Sequence, residues 1–275
     1  MSPERIGHRG ELLEPGALWD AWAMIDDLDL DLTPVIAEQP DPLLFATVSG
    51  AHLYGFPSQD SDLDLRGVHL LPAADLVGLR EPEETRSRIW VRYGVEMDLV
   101  THDLRKFVRL MLRRNGYVLE QLLSPLVAHT TDAHQELAAL ALGVLTSHHA
   151  HHYRGFAATQ WRLFEKTGEL KPLLYTFRVL LTGIHLMRGA EVQAHLPTLL
   201  DLDTGSDAPP YLRELIAAKA EREHGSAEVD HARVAADVER LHVVLDEAQA
   251  ASVLPDAPTA YDALHDFVVR VRLAG

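Results

Sequence analysis

Apolar and polar positions change rhythm twice along this chain, and the changes divide it. Leu43 to Ser49 (LLFATVS) is a short unbroken apolar run between Pro42 and Gly50, the signature of a strand buried on both faces. Leu63 to Leu71 alternates and is closed by Pro72, which predicts a second strand. Arg86–Val91 and Val95–Val100 alternate around Tyr93-Gly94, as in a hairpin. From Leu104 the period lengthens. Leu104, Phe107, Val108, Met111 and Leu112 form a helical stripe, with Asp103 placed to cap its start and Asn115-Gly116 to stop its end. Helices are then predicted at 118–123, 133–146, 149–165, 172–188, 211–222, 229–250 and 261–271. In the 229–250 segment, Val234, Val238, Leu241, Leu245 and Ala248 fall at the near-heptad spacing of ordinary helix packing. Leu200–Pro210 (LDLDTGSDAPP) reads as a linker and Ser252–Pro258 as a turn. Ahead of the first strand, Trp19, Trp22 and Met24 suggest a short packed helix, and Asp26–Asp31 (DDLDLD) a solvated loop or edge.

The expected class is therefore α+β: a small mixed-sheet domain with flanking helices over residues 1–127, followed by an all-α domain over residues 128–275.

Composition alters this picture in two places. The chain has no cysteine, so disulfides and thiolate metal sites are excluded. No apolar run reaches membrane-spanning length and the N-terminal segment lacks a signal-peptide pattern, so the expectation is a cytoplasmic protein away from membranes. The net charge of −16 is unevenly spread. Residues 86–188 hold 14 Lys/Arg against 8 Asp/Glu, while the rest of the chain is strongly acidic. A basic middle suits a nucleotide or a short nucleic acid and does not suggest coating of long duplexes; a chance excess on solvated helices explains it equally well.

The chemistry concentrates between Val48 and Val68. An apolar run ends in a turn containing Gly50 and Gly55. Ser61-Asp62-Leu63-Asp64 follows, with Asp62 and Asp64 expected on one strand face. Adjacent carboxylates repel unless a cation is shared between them. Asp98, on a later strand, supplies a third. A glycine turn lets backbone N–H groups approach phosphate oxygens, and paired carboxylates can clamp cations on a phosphoryl group.

Two further groups stand out. Lys171, Tyr175 and Arg178 recur at i, i+4 and i+7 on an otherwise apolar helix, continued by Thr182 and His185. Such a cationic stripe needs partners, either the phosphates of a nucleotide or acids elsewhere in the chain. His148 and His152 have a spacing that binds metal on a helix, but no nearby carboxylate completes a zinc set; substrate contact by His152 or Arg154 is the better reading. The basic face of the helix after Asp98 adds Arg109.

The run Ser49-Gly50-Ala51-His52-Leu53-Tyr54-Gly55 with Ser61-Asp62-Leu63-Asp64-Leu65-Arg66-Gly67-Val68 resembles the polymerase-beta nucleotidyltransferase superfamily. Within it, the chain is similar to the predicted nucleotidyltransferases associated with bacterial RNA ligase and RNA repair. Val95–Leu99, His152–Ala157, Lys171–Tyr175 with Arg178, and Ser252–Pro255 carry that narrower likeness.

The resemblance implies transfer of a nucleoside monophosphate from a nucleoside triphosphate, ATP or CTP, to an acceptor hydroxyl, an RNA 3′ end. Asp62, Asp64 and Asp98 would hold two Mg²⁺ ions, with Mn²⁺ as a substitute. Ser49, Gly50, Ala51, Ser61, Lys171, Tyr175 and Arg178 would bind the nucleotide, and Arg66, Arg109, His152 and Arg154 the acceptor. Ala51 stands where the superfamily has Gly or Ser. That departure keeps two alternatives open: transfer to a protein or small molecule, and a silent nucleotide- or RNA-binding module. Oligomeric state is not legible in the sequence.

Overall fold

The computed structural model describes residues 30–221 and 229–274. The expected Trp19/Trp22/Met24 helix and most of Asp26–Asp31 lie outside them. A short helix, α1 (Thr33–Ala37), precedes the sheet and places Val35 against it.

Five strands form one mixed sheet. β1 (Leu43–Val48) is buried along its whole length, as its unbroken apolar run requires. It leads through α2 (Gly50–Tyr54) into β2 (Leu63–His69). After α3 (Ala73–Val77) come β3 (Thr85–Arg92) and β4 (Val95–Asp103). Tyr93 and Gly94 join them with φ values of 56° and 79°, the positive pair that a two-residue hairpin turn needs. A short β5 (Val127–His129) completes the order β3-β4-β2-β1-β5. Only the β2–β4 pair is parallel.

In β4, Met97, Leu99, Thr101 and Asp103 are buried, while Glu96, Asp98, Val100 and His102 take the other face. Met97 and Leu99 join Val48, Leu63, Leu65 and Val35 in a small core on one side of the sheet. The opposite side, carrying Phe45 and Val68, is covered by α4 (Leu104–Leu112) and α5 (Gly116–Leu122).

The helical half follows as α6 (Asp132–Ala141), α7 (His149–Thr167), α8 (Leu170–Gly189), α9 (Leu196–Asp201), α10 (Leu212–Ala220), α11 (His231–Ala250) and α12 (Tyr261–Ala274). α8 is buried on nearly every side, against α7 and α11. Its tight approach to α7 depends on Gly183, where a Cβ would press on the Tyr153 side chain.

Two expectations change. Asn115 does not stop α4. The stop is Arg114, left-handed at φ 62°, and Asn115 instead caps α5 by accepting the Tyr117 N–H. Leu200–Pro210 is not an open linker, since α9 enters it and a 3₁₀ turn spans Asp203–Asp207. The larger apolar core runs from Leu44 in β1 to Phe267 in α12, and β5 begins at Val127. Arg272 of α12 also reaches the sheet directly. Its Nη2 donates to both Asp103 carboxylate oxygens at 2.9 and 2.7 Å, and its Nη1 donates to the Leu71 carbonyl.

Candidate active site

β2 and β4 are far apart in sequence but lie side by side, and their register pairs Asp64 with Asp98. Both carboxylates leave the sheet on the face that α5 covers. Arg66, two residues along β2, shares that face. Its Nη2 donates to Asp64 Oδ1 at 2.6 Å and to Asp98 Oδ2 at 2.8 Å, so the acids converge on one point. Burial raises the Asp64 pKa from its ordinary value. Arg66 and Lys171 pull it back, while Asp98 and Asp62 push it further up.

Gly50 lies against this pair. At φ +62° it occupies the left-handed region, and a Cβ there would overlap the Asp64 carboxylate. The turn is tied to β2 by the Ser49 N–H, which donates to the Asp64 carbonyl at 2.8 Å. Ser49 Oγ is buried without a hydrogen-bond partner. The first N–H groups of α2 lack carbonyl partners within the helix, as at any helix start.

From Gly50 and Asp64 a cleft of about 380 Å³ opens between the sheet and the helical half. Its remaining walls are Tyr54, Asn115, Tyr117, His152, Phe156 and Tyr175. Tyr175 stands edge-on to both Tyr54 and Phe56, with ring centroids 5.3 and 5.6 Å away. His152 is held neutral, its pKa pushed down to about 4 by burial and by the nearby Arg178; its Nε2 is buried without a partner.

The expected residues divide. Asp64, Gly50, Tyr175 and His152 line the cleft, Asp98 sits beside Asp64 through their shared Arg66, and Lys171 lies close enough to act on Asp64. Asp62 stands one residue ahead of β2, exposed and close enough to act on the Asp64 carboxylate. Ala51 is buried and offers the cleft no side chain. Ser61 works inside its own turn, where its Oγ accepts the Ser58 N–H at 2.9 Å, and Lys219 of α10 donates to Ser58 Oγ at 3.0 Å.

Arg178 does not face the cleft. It is fully buried, its Nη1 3.1 Å from Glu120 Oε1, with its guanidinium 3.7 Å from the centre of the Tyr54 ring. The acid partner that the sequence left as one alternative is the one the fold supplies. Arg66 is likewise held inside the site. Arg154 turns toward α11, donating to Asp246 and to Gln249, and Arg109 is exposed on α4 outside the cleft lining. Tyr54, Asn115, Tyr117 and Phe156 are cleft residues that pattern reading did not single out. The capping geometry of Asn115 before a helical stretch was the available signal.

Asp64 and Asp98 suit a hard divalent cation: two carboxylates converge, and the Asp64 oxygen that Arg66 leaves free of its fork is turned toward the glycine turn. Among the described residues no group of three His, Asp or Glu side chains is close enough to form a complete metal cluster.

The sequence model of the RNA repair pathway DNA polymerase beta family, RlaP, matches residues 24–270. The chain belongs to the RlaP family. It is thus a nucleotidyltransferase of the polymerase-beta type. An uncharacterized protein from Methanocaldococcus jannaschii is 27% identical to this RlaP-family chain over 221 residues, covering 78% of it and 88% of the relative. Among solved structures, a nucleotidyltransferase-like protein from Exiguobacterium sibiricum matches at 10% identity. That match covers 89% of this chain and 78% of the other, with a TM-score of 0.31, too low to relate the two folds in detail. No helix among the described residues of the RlaP-family protein is long and apolar enough to cross a membrane.

Proposed function

We propose that this protein transfers a nucleoside monophosphate from a nucleoside triphosphate to the 3′ hydroxyl of an RNA, in a divalent-metal-dependent reaction. One observation carries the reading: two register-paired carboxylates converge beside a left-handed glycine, at one end of a cleft walled by aromatic rings.

Asp64 and Asp98 would hold Mg²⁺ or Mn²⁺, with the exposed Asp62 within reach of Asp64 electrostatically. Such an ion, when bound, neutralises phosphate charge and lowers the pKa of a coordinated hydroxyl. The rest falls to the chain itself. Gly50 brings the N–H groups of the first turn of α2 toward the triphosphate, and the buried Ser49 Oγ is a donor awaiting an acceptor. Asp98, on the neighbouring strand one place nearer the sheet edge, would accept the acceptor's proton. Lys171 adds positive charge where the departing pyrophosphate gathers negative charge. Tyr175 and Phe156 offer ring faces for a base, and neutral His152 can donate or accept without adding charge.

The buried Ala51 methyl bears on the silent-module alternative. The phosphate-facing groups of this turn are backbone N–H groups, which alanine retains. The decisive experiment incubates pure protein with each α-labelled nucleoside triphosphate, Mg²⁺, and either RNA or protein as acceptor. Label in RNA is the expected result. Label confined to polypeptide overturns the RNA assignment, and label in neither, with no rise in melting temperature on adding nucleotide, overturns the enzyme reading.

A further inference from the structure

Arg66 is buried at 9% exposure, and its guanidinium has five N–H donors, all of them used. Nε donates to the Tyr117 hydroxyl at 3.2 Å. Nη1 donates to the carbonyls of Leu65 at 2.9 Å and Asp98 at 2.6 Å. Nη2 takes one carboxylate oxygen from each acid, Asp64 Oδ1 and Asp98 Oδ2. The remaining Asp64 oxygen, Oδ2, is the atom turned toward Gly50.

We propose that Arg66 is a positioning residue for nucleotidyl transfer: its rigid fork fixes the rotamers of Asp64 and Asp98, so that their other oxygens face the glycine turn and the cleft. The inference rests on the metal-dependent reading above.

Three features of the site support it. The bonds to two main-chain carbonyls staple β2 to β4 at the level of the acid pair, the sheet's one parallel junction. The planar fork reaches acceptors in fixed directions, which a flexible ammonium does not. The Tyr117 bond extends the brace to the cleft wall, so acids and nucleotide pocket share one rigid support. An acceptor contact, the role expected from the sequence, would require the guanidinium to surrender a bond it already makes.

The discriminating variant is Arg66→Lys, which keeps the charge and loses the fork. Mn²⁺ binding to the full-length protein is read without substrate by electron paramagnetic resonance, and turnover is read separately. The expected result for Arg66→Lys is Mn²⁺ affinity weakened about tenfold and kcat lowered about 100-fold, with the RNA KM changed less than about threefold. Wild-type Mn²⁺ binding and kcat in Arg66→Lys overturn the proposal, because charge alone would then suffice. A raised RNA KM with unchanged Mn²⁺ affinity also overturns it, in favour of acceptor contact. Failure of the wild type to bind Mn²⁺ is a different outcome, which removes the metal reading and this inference with it. Tyr117→Phe cuts only the Nε anchor and decides the matter if Arg66→Lys does not fold. A weakening of Mn²⁺ binding of about threefold is expected there, and unchanged binding overturns the proposal.

Discussion

Arg178 Nη1 lies 3.1 Å from Glu120 Oε1, and both side chains are out of contact with water. The pair joins α8 to α5 directly beneath Tyr54, whose ring lies against the guanidinium. Removing one partner strands the other charge in a poorly solvating interior. Arg178→Met should therefore destabilise the fold by about 3–5 kcal/mol, and the Arg178→Met/Glu120→Leu double variant by clearly less than the sum of the singles. Urea titration of the four proteins measures both. If Arg178 served phosphate instead, the single variant would lose nucleotide affinity at nearly unchanged stability.

Asp64→Asn and Asp98→Asn should each lower turnover by about 100-fold or more, because each removes a carboxylate from the converging pair. Asp64→Asn removes the burial cost that raises the Asp64 pKa but also surrenders the ion pair to Arg66, so its melting temperature should stay close to that of the wild type. A melting curve beside a single-turnover assay checks both halves. Asp62→Asn, just ahead of β2, is expected to lower turnover as well, and undiminished turnover there would remove Asp62 from the metal-holding set.

Gly50→Ala combines an unfavourable left-handed backbone with a steric overlap on Asp64. The expected cost is about 1–3 kcal/mol in stability, with a raised nucleotide KM, measured by chemical denaturation and steady-state kinetics. Gly94→Ala provides the contrast. Its φ is also positive, but a Cβ there meets nothing within 4 Å, so backbone strain acts alone.

His134 and His149 are fully buried, and burial pushes both pKa values down from 6.5 to about 4. His134 is bonded as a neutral ring: its Nε2–H donates to the Leu122 carbonyl, and its Nδ1 accepts from Thr130. Between pH 6.5 and 4 the unfolded chain binds these protons and the folded chain does not. Their contribution to stability is thus complete above pH 6.5 and is lost as the pH falls toward 4. Melting temperatures across pH 4.5–7.5 should rise with pH in that window, more gently in His134→Phe, which removes one of the four histidines held near 4, His102 and His152 being the others.

Much of this architecture was legible because its periods are unmixed. The unbroken β1 run, the alternating β4 and the near-heptad α11 each permit one packing. The acids were legible in kind but not in arrangement: the Asp-x-Asp motif and Asp98 show three carboxylates, while the register of β2 against β4 is what sets Asp64 beside Asp98. Arg178 shows a second limit. Helical spacing marked it as a buried cation needing a partner, but whether that partner is a phosphate or Glu120 depends on how α5 packs against α8. Asn115-Gly116 was ambiguous for a local reason, since the same dipeptide can end one helix or begin the next. The left-handed Arg114 just before it assigned it to the second.

The Asp103–Arg272 clasp has a bearing on how the molecule is made. Asp103 ends β4, caps α4 and accepts the Leu71 N–H, while its guanidinium partner arrives on α12, after every other described element has left the ribosome. A nascent chain stalled before α12 would carry a sheet that is already paired yet still holds an uncompensated buried carboxylate. Ribosome-bound intermediates of this protein should accordingly remain protease-sensitive until α12 emerges, so the sheet is sealed only by the most distant of its partners along the sequence.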